Sequence, residues 1–231
     1  MYSLAASFQK MNRLLGKQKL NGNNLLYITG ILSRQDVNRI FSLLDDNIYP
    51  LMRKVNAPIP HDSIKSLKKN FSEKLGKTIS NKSLILNSKS SKGFKAARGI
   101  GLTDFLNSAA LRTTIESCTG KKLLPGPGMQ VLCYAHGDYV SPHNDHHPED
   151  SHLRKGYIDV HFMFSNRHVA HQFLIAQNGN HLNQVNDLCV PSSAAVYQLP
   201  FWHQVTPLQA KPKQETKARR WLIMASYVIN E

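Results

Sequence analysis

Acidic residues are scarce in this chain. Its 231 residues include 15 Asp and Glu against 29 Lys and Arg, a formal net charge of +14, and the first carboxylate side chain is Asp36. Cysteine is scarcer still. Cys118, Cys133 and Cys189 are odd in number and far apart, which argues against a disulfide framework and a cysteine zinc site and fits a reducing, cytoplasmic compartment. Long apolar runs are missing as well. "NLLYITGIL" and "RWLIMASYVI" fall far short of the roughly 20 residues needed to cross a bilayer, so no membrane span is expected, and without an apolar h-region neither is secretion.

What is present begins with Leu4, Phe8, Met11, Leu14 and Leu15 at helical spacing among Lys10, Arg13, Lys17 and Lys19. Transit peptides share this pattern, but it reads first as an amphipathic helix packed on the domain. The excess positive charge concentrates between residues 53 and 98, where twelve Lys or Arg face only Asp62 and Glu73. Such a field favours an anionic partner or substrate, although a solvated surface would look the same. Phe71 and Phe94 are its only aromatics, so it lacks the interleaved stacking residues of a nucleic-acid site, and nucleic acid is disfavoured as a partner.

The length suits one domain over residues 1–231, with N-terminal helical support over 1–125 and a β-rich core over 126–231. A strand is expected from about Leu25, then a helix with Ser33 as N-cap, Asp36 at the third position and Val37, Ile40, Phe41 and Leu44 on one face. Short helices near 63–76 and an irregular "NSKSSKGFKAARGIG" make the basic insertion a place for a substrate lid. "TDFLNSAALRTTIESCTGKKLL" reads as a helix capped by Thr103 and ended by Gly120, with lysines in its last turn. Then come "MQVLCYAH", "YVSPHND", "YIDVHFMFS", "HQFLIAQ", "AAVYQL", "FWHQVTPL" and "RRWLIMASYVIN" as short strands. Helices followed by seven or eight strands predict an α+β, β-rich fold: a jelly roll, or double-stranded β-helix, supported by helices on one side.

Ten of the eleven histidines lie between 136 and 203. In "HND", strand alternation would aim His143 and Asp145 at one point, and His203 sits in a later strand-like run. Two histidines and one carboxylate leave open positions on an octahedral metal, the pattern of non-haem Fe(II) oxygenases. Competing sets remain. A zinc or cupin-like metalloenzyme could draw on His146, His147, Glu149, His161 or His171, and Asp159 and His161 could share a strand face.

"CYAHGDYVSPHND", "FWHQVTP" and "ARRWLIMASY" together resemble the Fe(II)- and 2-oxoglutarate-dependent dioxygenases, nearest to the prolyl-hydroxylase-like group, over roughly residues 24–48 and 103–228. The resemblance implies that His143, Asp145 and His203 ligate Fe(II), with 2-oxoglutarate and O2 in the open positions. It also implies that Arg220 pairs with the cosubstrate's distal carboxylate and that Tyr134 hydrogen-bonds the cosubstrate. Alternation admits Arg219 or Arg220 but not both, and periodicity alone does not choose. Tyr139, His146 and His147 fall on the substrate rim, or are core and loop. The implied reaction is hydroxylation of an unactivated C–H bond, of a protein side chain or an amino acid, with release of succinate and CO2. Two departures stand out. "LQAKPKQETKA" lengthens the segment between His203 and Arg220, extending a hairpin over the site or away from it, and "YVINE" lacks the second arginine of the nucleic-acid demethylase branch. A catalytically silent basic binding module on the same scaffold is the remaining alternative.

Overall fold

The computed structural model describes residues 4–58, 78–145, 153, 156–178 and 181–230. Helix α1, Ala5–Leu15, is followed by strand β1, Leu25–Thr29, and helix α2, Arg34–Asn47. In α1 the buried face is Phe8, Met11 and Leu15, with Leu4 just before it; the Phe8 ring stacks on Phe105 at 4.1 Å. Ser33 caps α2 as expected, its Oγ accepting from the Asp36 amide at 3.2 Å and donating to the Asp36 carboxylate at 2.7 Å.

The basic stretch departs from the sequence reading. Its described part contains strand β2, Arg53–Pro58, strand β3, Thr78–Ile85, and helix α3, Lys92–Gly99, which replaces the expected irregular segment. Ser91 starts α3 by accepting from the Phe94 amide, and Phe94 and Ala97 are buried beneath it. The helices expected near 63–76 lie outside the described residues. The long helix expected from Thr103 is two helices, α4, Leu102–Leu106, and α5, Ala109–Thr119. The break falls at Asn107, Thr103 lies buried inside α4, and the cap that starts the longer helix is Ser108, which accepts from the Leu111 amide. Gly120 ends α5 in the left-handed conformation, and Lys121 and Lys122 follow it rather than forming its last turn.

Ten further strands complete the fold: β4, Lys122–Ala135; β5, Tyr139–His143; β6, Tyr157–Ser165; β7, Val169–His171; β8, Phe173–Asn178; β9, His181–Asp187; β10, Ser192–Leu199; β11, His203–Val205; β12, Gln209–Ala210; and β13, Arg219–Asn230. One sheet runs β1-β10-β6-β13-β4-β3-β5-β11-β8-β9, with β2 on β3. Because β3 pairs with both β4 and β5, it splices the two halves of a jelly roll into one continuous, rolled sheet. β9 was not expected from the sequence. Nor were β2 and β3, which join the sheet together with the expected β1.

Alternation on the central strands divides two cores. Ile158, Val160, Phe162 and Phe164 of β6 and Trp221, Ile223, Ala225 and Tyr227 of β13 face the helices. The opposite faces turn inward. Asp159, His161 and Met163 of β6, with Arg220, Leu222, Met224 and Ser226 of β13, line a cavity inside the roll. Among the described residues no helix is long and apolar enough to cross a membrane.

Candidate metal centre

Strand β5 pairs with β11 so that His143 stands directly opposite His203, their ring centroids 4.2 Å apart. Asp145 arrives differently from the sequence expectation. The strand ends at His143, and Asp145 has φ +50°, in the left-handed region that aspartate tolerates better than most residues. A turn, not strand alternation, therefore brings its carboxylate back between the imidazoles. Tyr157 helps to hold that turn, its hydroxyl donating to the Asp145 carbonyl at 3.1 Å.

Asp145 Oδ1 lies 3.3 Å from His143 Nε2, and its Oδ2 lies 3.4 Å from His203 Nε2. One donor atom from each residue falls within 4.8 Å of the others. These spacings suit a metal, since donors about 2.1 Å from an ion at right angles stand roughly 3 Å apart. The imidazoles are oriented for that task. His143 Nδ1 bonds the Ser141 carbonyl at 2.8 Å and His203 Nδ1 bonds the Phe201 carbonyl at 2.9 Å. A carbonyl can only accept, so in each neutral ring Nδ1 carries the proton and Nε2 presents its lone pair toward Asp145. Burial would raise the Asp145 carboxyl, but His143 and His203 outweigh it and hold it well below the usual carboxylate range. Burial and the neighbouring His143 push His203 down, favouring the neutral, ligating form.

The triad opens on a cavity of about 500 Å³ that Arg220 and Tyr134 also line. Arg220 is fully buried, its guanidinium 4.2 Å from the centre of the Tyr134 ring. Its Nε donates to Gln172, but among the described residues Nη1 and Nη2 have no hydrogen-bond partner. Two buried, unpartnered guanidinium nitrogens side by side suit a carboxylate. Arg219 points to the other side, where it pairs with Asp45 at 3.0 Å and covers the Tyr49 ring. Burial raises the Tyr134 hydroxyl, keeping it a protonated donor.

Other expected residues lie elsewhere. Tyr139 is not part of the cavity lining; its strand turns it outward, and its hydroxyl meets Thr78 Oγ1. His146, His147 and Glu149 lie outside the described residues. His171 is exposed on β7 against Phe173. Asp159 and His161 do share a face and line the cavity, yet they belong to no three-residue metal cluster among the described residues. The segment between His203 and Arg220 forms β12, which pairs with β7, and none of its residues from 207 to 219 lines the cavity.

Three contributors escaped the sequence reading. Gln172, fully buried, donates to the Asp138 and Thr206 carbonyls at 3.1 and 2.9 Å, which leaves its Oε1 aimed at Arg220. Asp138 ties the turn before β5 together by accepting from the Ala135 amide, Ser80 and Lys54. From the basic stretch, Ile79, Asn81 and Ser83 of β3 form one cavity wall.

The rolled sheet is a double-stranded β-helix, with its polar cluster at the open end of β5 and β11. Comparison with protein-family models finds no match, and comparison with curated proteins finds none of significance. Solved structures do match. A prolyl hydroxylase from Trichoplax adhaerens, in complex with a hypoxia inducible factor peptide fragment, matches with TM-score 0.54 and 17% identity over 96% of this chain and 91% of that one. An oxidoreductase of the 2OG-Fe(II) oxygenase family from Burkholderia pseudomallei gives 0.53 and 10% over 98% and 91%. A non-heme alpha-ketoglutarate-dependent carbocyclase from nogalamycin biosynthesis gives 0.55 and 8% over 96% and 85%. The chain has the fold of the 2OG-Fe(II) oxygenases, including the prolyl-hydroxylase group. Shared fold does not carry the reaction with it.

Proposed function

We propose that this chain is an Fe(II)- and 2-oxoglutarate-dependent oxygenase that hydroxylates an unactivated C–H bond of a protein side chain or an amino acid. One observation carries the reading: a His-Asp-His cluster with preset imidazole tautomers shares a cavity with a buried guanidinium whose two terminal nitrogens have no hydrogen-bond partner among the described residues. His143, Asp145 and His203 would hold the metal, and Arg220 would bind the distal carboxylate of the cosubstrate. Tyr134 packs under that guanidinium and keeps its hydroxyl protonated for a hydrogen bond to the same ligand. The bound metal, cosubstrate and O2 supply the oxidation, one oxygen atom entering the substrate and the other entering succinate as CO2 is released. The residues orient and desolvate the reactants; Leu132, Leu222 and Met224 keep the intervening wall apolar.

The prolyl hydroxylase holding a peptide favours a protein substrate over a nucleobase. Anaerobic addition of Fe(II) and 2-oxoglutarate should give a weak visible charge-transfer band, and admission of O2 should yield succinate. His143→Ala and His203→Ala should each abolish the band, and His161→Ala should leave it. A folded, metal-replete protein giving neither signal would overturn the oxygenase reading. The band without succinate, across a broad substrate panel, would point to a silent binding module.

A further inference from the structure

Asp159 and His161 are the most costly side chains in the cavity that the proposed reaction does not use. Both are buried, at 3% and 8% exposure, and both line the cavity. Among the described residues Asp159 Oδ1 and both ring nitrogens of His161 have no hydrogen-bond partner. The two residues do not satisfy each other, because Asp159 Oδ2 and His161 Nε2 are 3.9 Å apart, beyond hydrogen-bond range. A buried carboxylate and imidazole that no described residue satisfies are expensive in a folded protein, which makes them a place for a bound polar group.

Their position separates them from the cosubstrate. On β13 the residues opposite Asp159 and His161 are Ser226 and Met224, whereas Arg220 lies opposite Ser165. At roughly 3.3 Å per strand residue, His161 is about 13 Å and Asp159 about 20 Å from Arg220 along the wall. A carboxylate paired with Arg220 therefore does not meet Asp159 or His161. One ring separates His161 from the triad: Tyr197 packs on His161 at 4.2 Å and on His203 at 5.3 Å.

Charge identifies what fits. Building on the oxygenase reading, a divalent ion, the Asp145 carboxylate, the two carboxylates of the cosubstrate and the Arg220 guanidinium sum to no net charge. Among the described lining residues Asp159 is then the one further carboxylate, with only His161 Nε2 beside it at 3.9 Å. We infer that Asp159 and His161 form a substrate subsite for a cationic nitrogen, an alkylammonium or guanidinium group carried by an amino acid or a peptide side chain. One N–H of that group donates to Asp159 Oδ1 and a second to the lone-pair nitrogen of His161, with the Ser226 end of the cavity behind them. The net charge of +14 disfavours the approach of a bare small cation, so the group arrives as part of a larger molecule whose other contacts offset that field.

Isothermal titration of Nα-acetyl-lysine methylamide against its neutral isostere Nα-acetyl-norleucine methylamide tests the subsite, with protein loaded with Mn(II) and 2-oxoglutarate and again without them. The arginine derivative against that of citrulline gives the guanidinium pair. At least one cationic probe should bind roughly tenfold or more tightly than its isostere. Asp159→Asn should remove the preference and His161→Gln should weaken it, while Mn(II) affinity, the check on folding, stays within about a factor of two. Equal binding of both cationic probes and their isosteres by the wild-type protein would overturn the subsite without recourse to any variant; so would a preference that survives in folded Asp159→Asn protein. Mn(II) and 2-oxoglutarate binding without cation preference would reject the subsite alone. Cation preference dependent on Asp159, without Mn(II) or 2-oxoglutarate binding, would retain the subsite and reject the oxygenase reading.

Discussion

The Nε of Arg220 donates to Oε1 of Gln172 at 2.6 Å, so an uncharged side chain on the loop before β8 directs the buried guanidinium. Gln172 cannot turn away, because its amide nitrogen is held by two carbonyls. Arg220→Gln should weaken 2-oxoglutarate binding to the Mn(II) protein by about 3 kcal/mol, roughly a hundredfold, as expected for loss of a buried charge partner. Gln172→Leu should cost about tenfold by leaving Nε unpaired and the fork free to tilt. Arg219→Gln should change 2-oxoglutarate affinity by less than about twofold and remove only a surface pair with Asp45 worth at most ~1 kcal/mol. Competition titrations against 2-oxoglutarate measure all three. Equal losses at positions 219 and 220 would reject the assignment.

The three thiols should be inert at neutral pH. Burial pushes Cys118 up to about 11 and Cys133 up to about 12. Cys189 is raised to about 12 by burial and then by Asp187. A disulfide-exchange reagent at pH 7.5 should therefore label the folded protein slowly and all three cysteines at once in urea. The same shifts bear on stability. From the ordinary value of 9.0 up to about 12, the folded chain keeps the Cys133 proton that the unfolded chain has lost. That stabilisation is complete below pH 9 and is lost as pH rises through the window. Urea midpoints should fall between pH 8.5 and 10.5, and Cys133→Val should make the fall shallower; Cys118, Cys189 and buried tyrosines such as Tyr227, also raised, account for the remainder.

Much of the fold is legible in the sequence because burial imposes a period. The α2 face of Val37, Ile40, Phe41 and Leu44 and the apolar runs of β6, β10 and β13 could be read directly, as could the cap at Ser33. β3 could not be read this way. Its inward residues include Asn81 and Ser83, which face a polar cavity, so the alternation carries no hydrophobic signal. β9 is an edge strand with Val185 exposed, and the same reason hides it. At the candidate metal centre the sequence proposed the residues that the structure brings together, while part of the geometry was not readable. "HND" suggested an extended strand, but a left-handed Asp145 does the work that alternation was expected to do. The choice between Arg219 and Arg220 needed Asp45 and Gln172, which lie 174 and 48 residues away from their respective partners.

Phe8 joins the N-terminal helix to the sheet. It is fully buried, stacked on Phe105 within 5° of parallel, and Phe105 in turn packs on Phe162 of β6 at 5.3 Å. Phe8→Ala should cost about 3–5 kcal/mol in denaturant unfolding, from lost burial and the cavity left behind. Lys10→Ala, on the exposed face of the same helix, should change stability by less than about 0.5 kcal/mol. A small effect at Phe8 would mean that α1 is not part of the cooperative core.

Gly126 connects backbone geometry to the proposed subsite. The β4–β13 register shifts between Ala225 and Tyr227, and the irregularity places Ser226 at the cavity end opposite Asp159. A Cβ at Gly126 would sit 2.1 Å from the Ser226 carbonyl oxygen and 2.4 Å from its carbon, both backbone atoms without a rotamer to relieve the contact. Gly126→Ala must therefore push β4 from β13 at this point, and it should cost about 2 kcal/mol or more. Gly128→Ala is the control. Its Cβ would meet only the Ser226 hydroxyl at 3.6 Å, an ordinary contact, so stability should change by less than about 1 kcal/mol. Because the distortion lies at the far end of the wall from Arg220, Gly126→Ala should weaken cationic-probe binding while leaving 2-oxoglutarate affinity within about threefold wherever the protein remains folded. Loss of both affinities in equal measure would show that the two ends of the cavity are not independent.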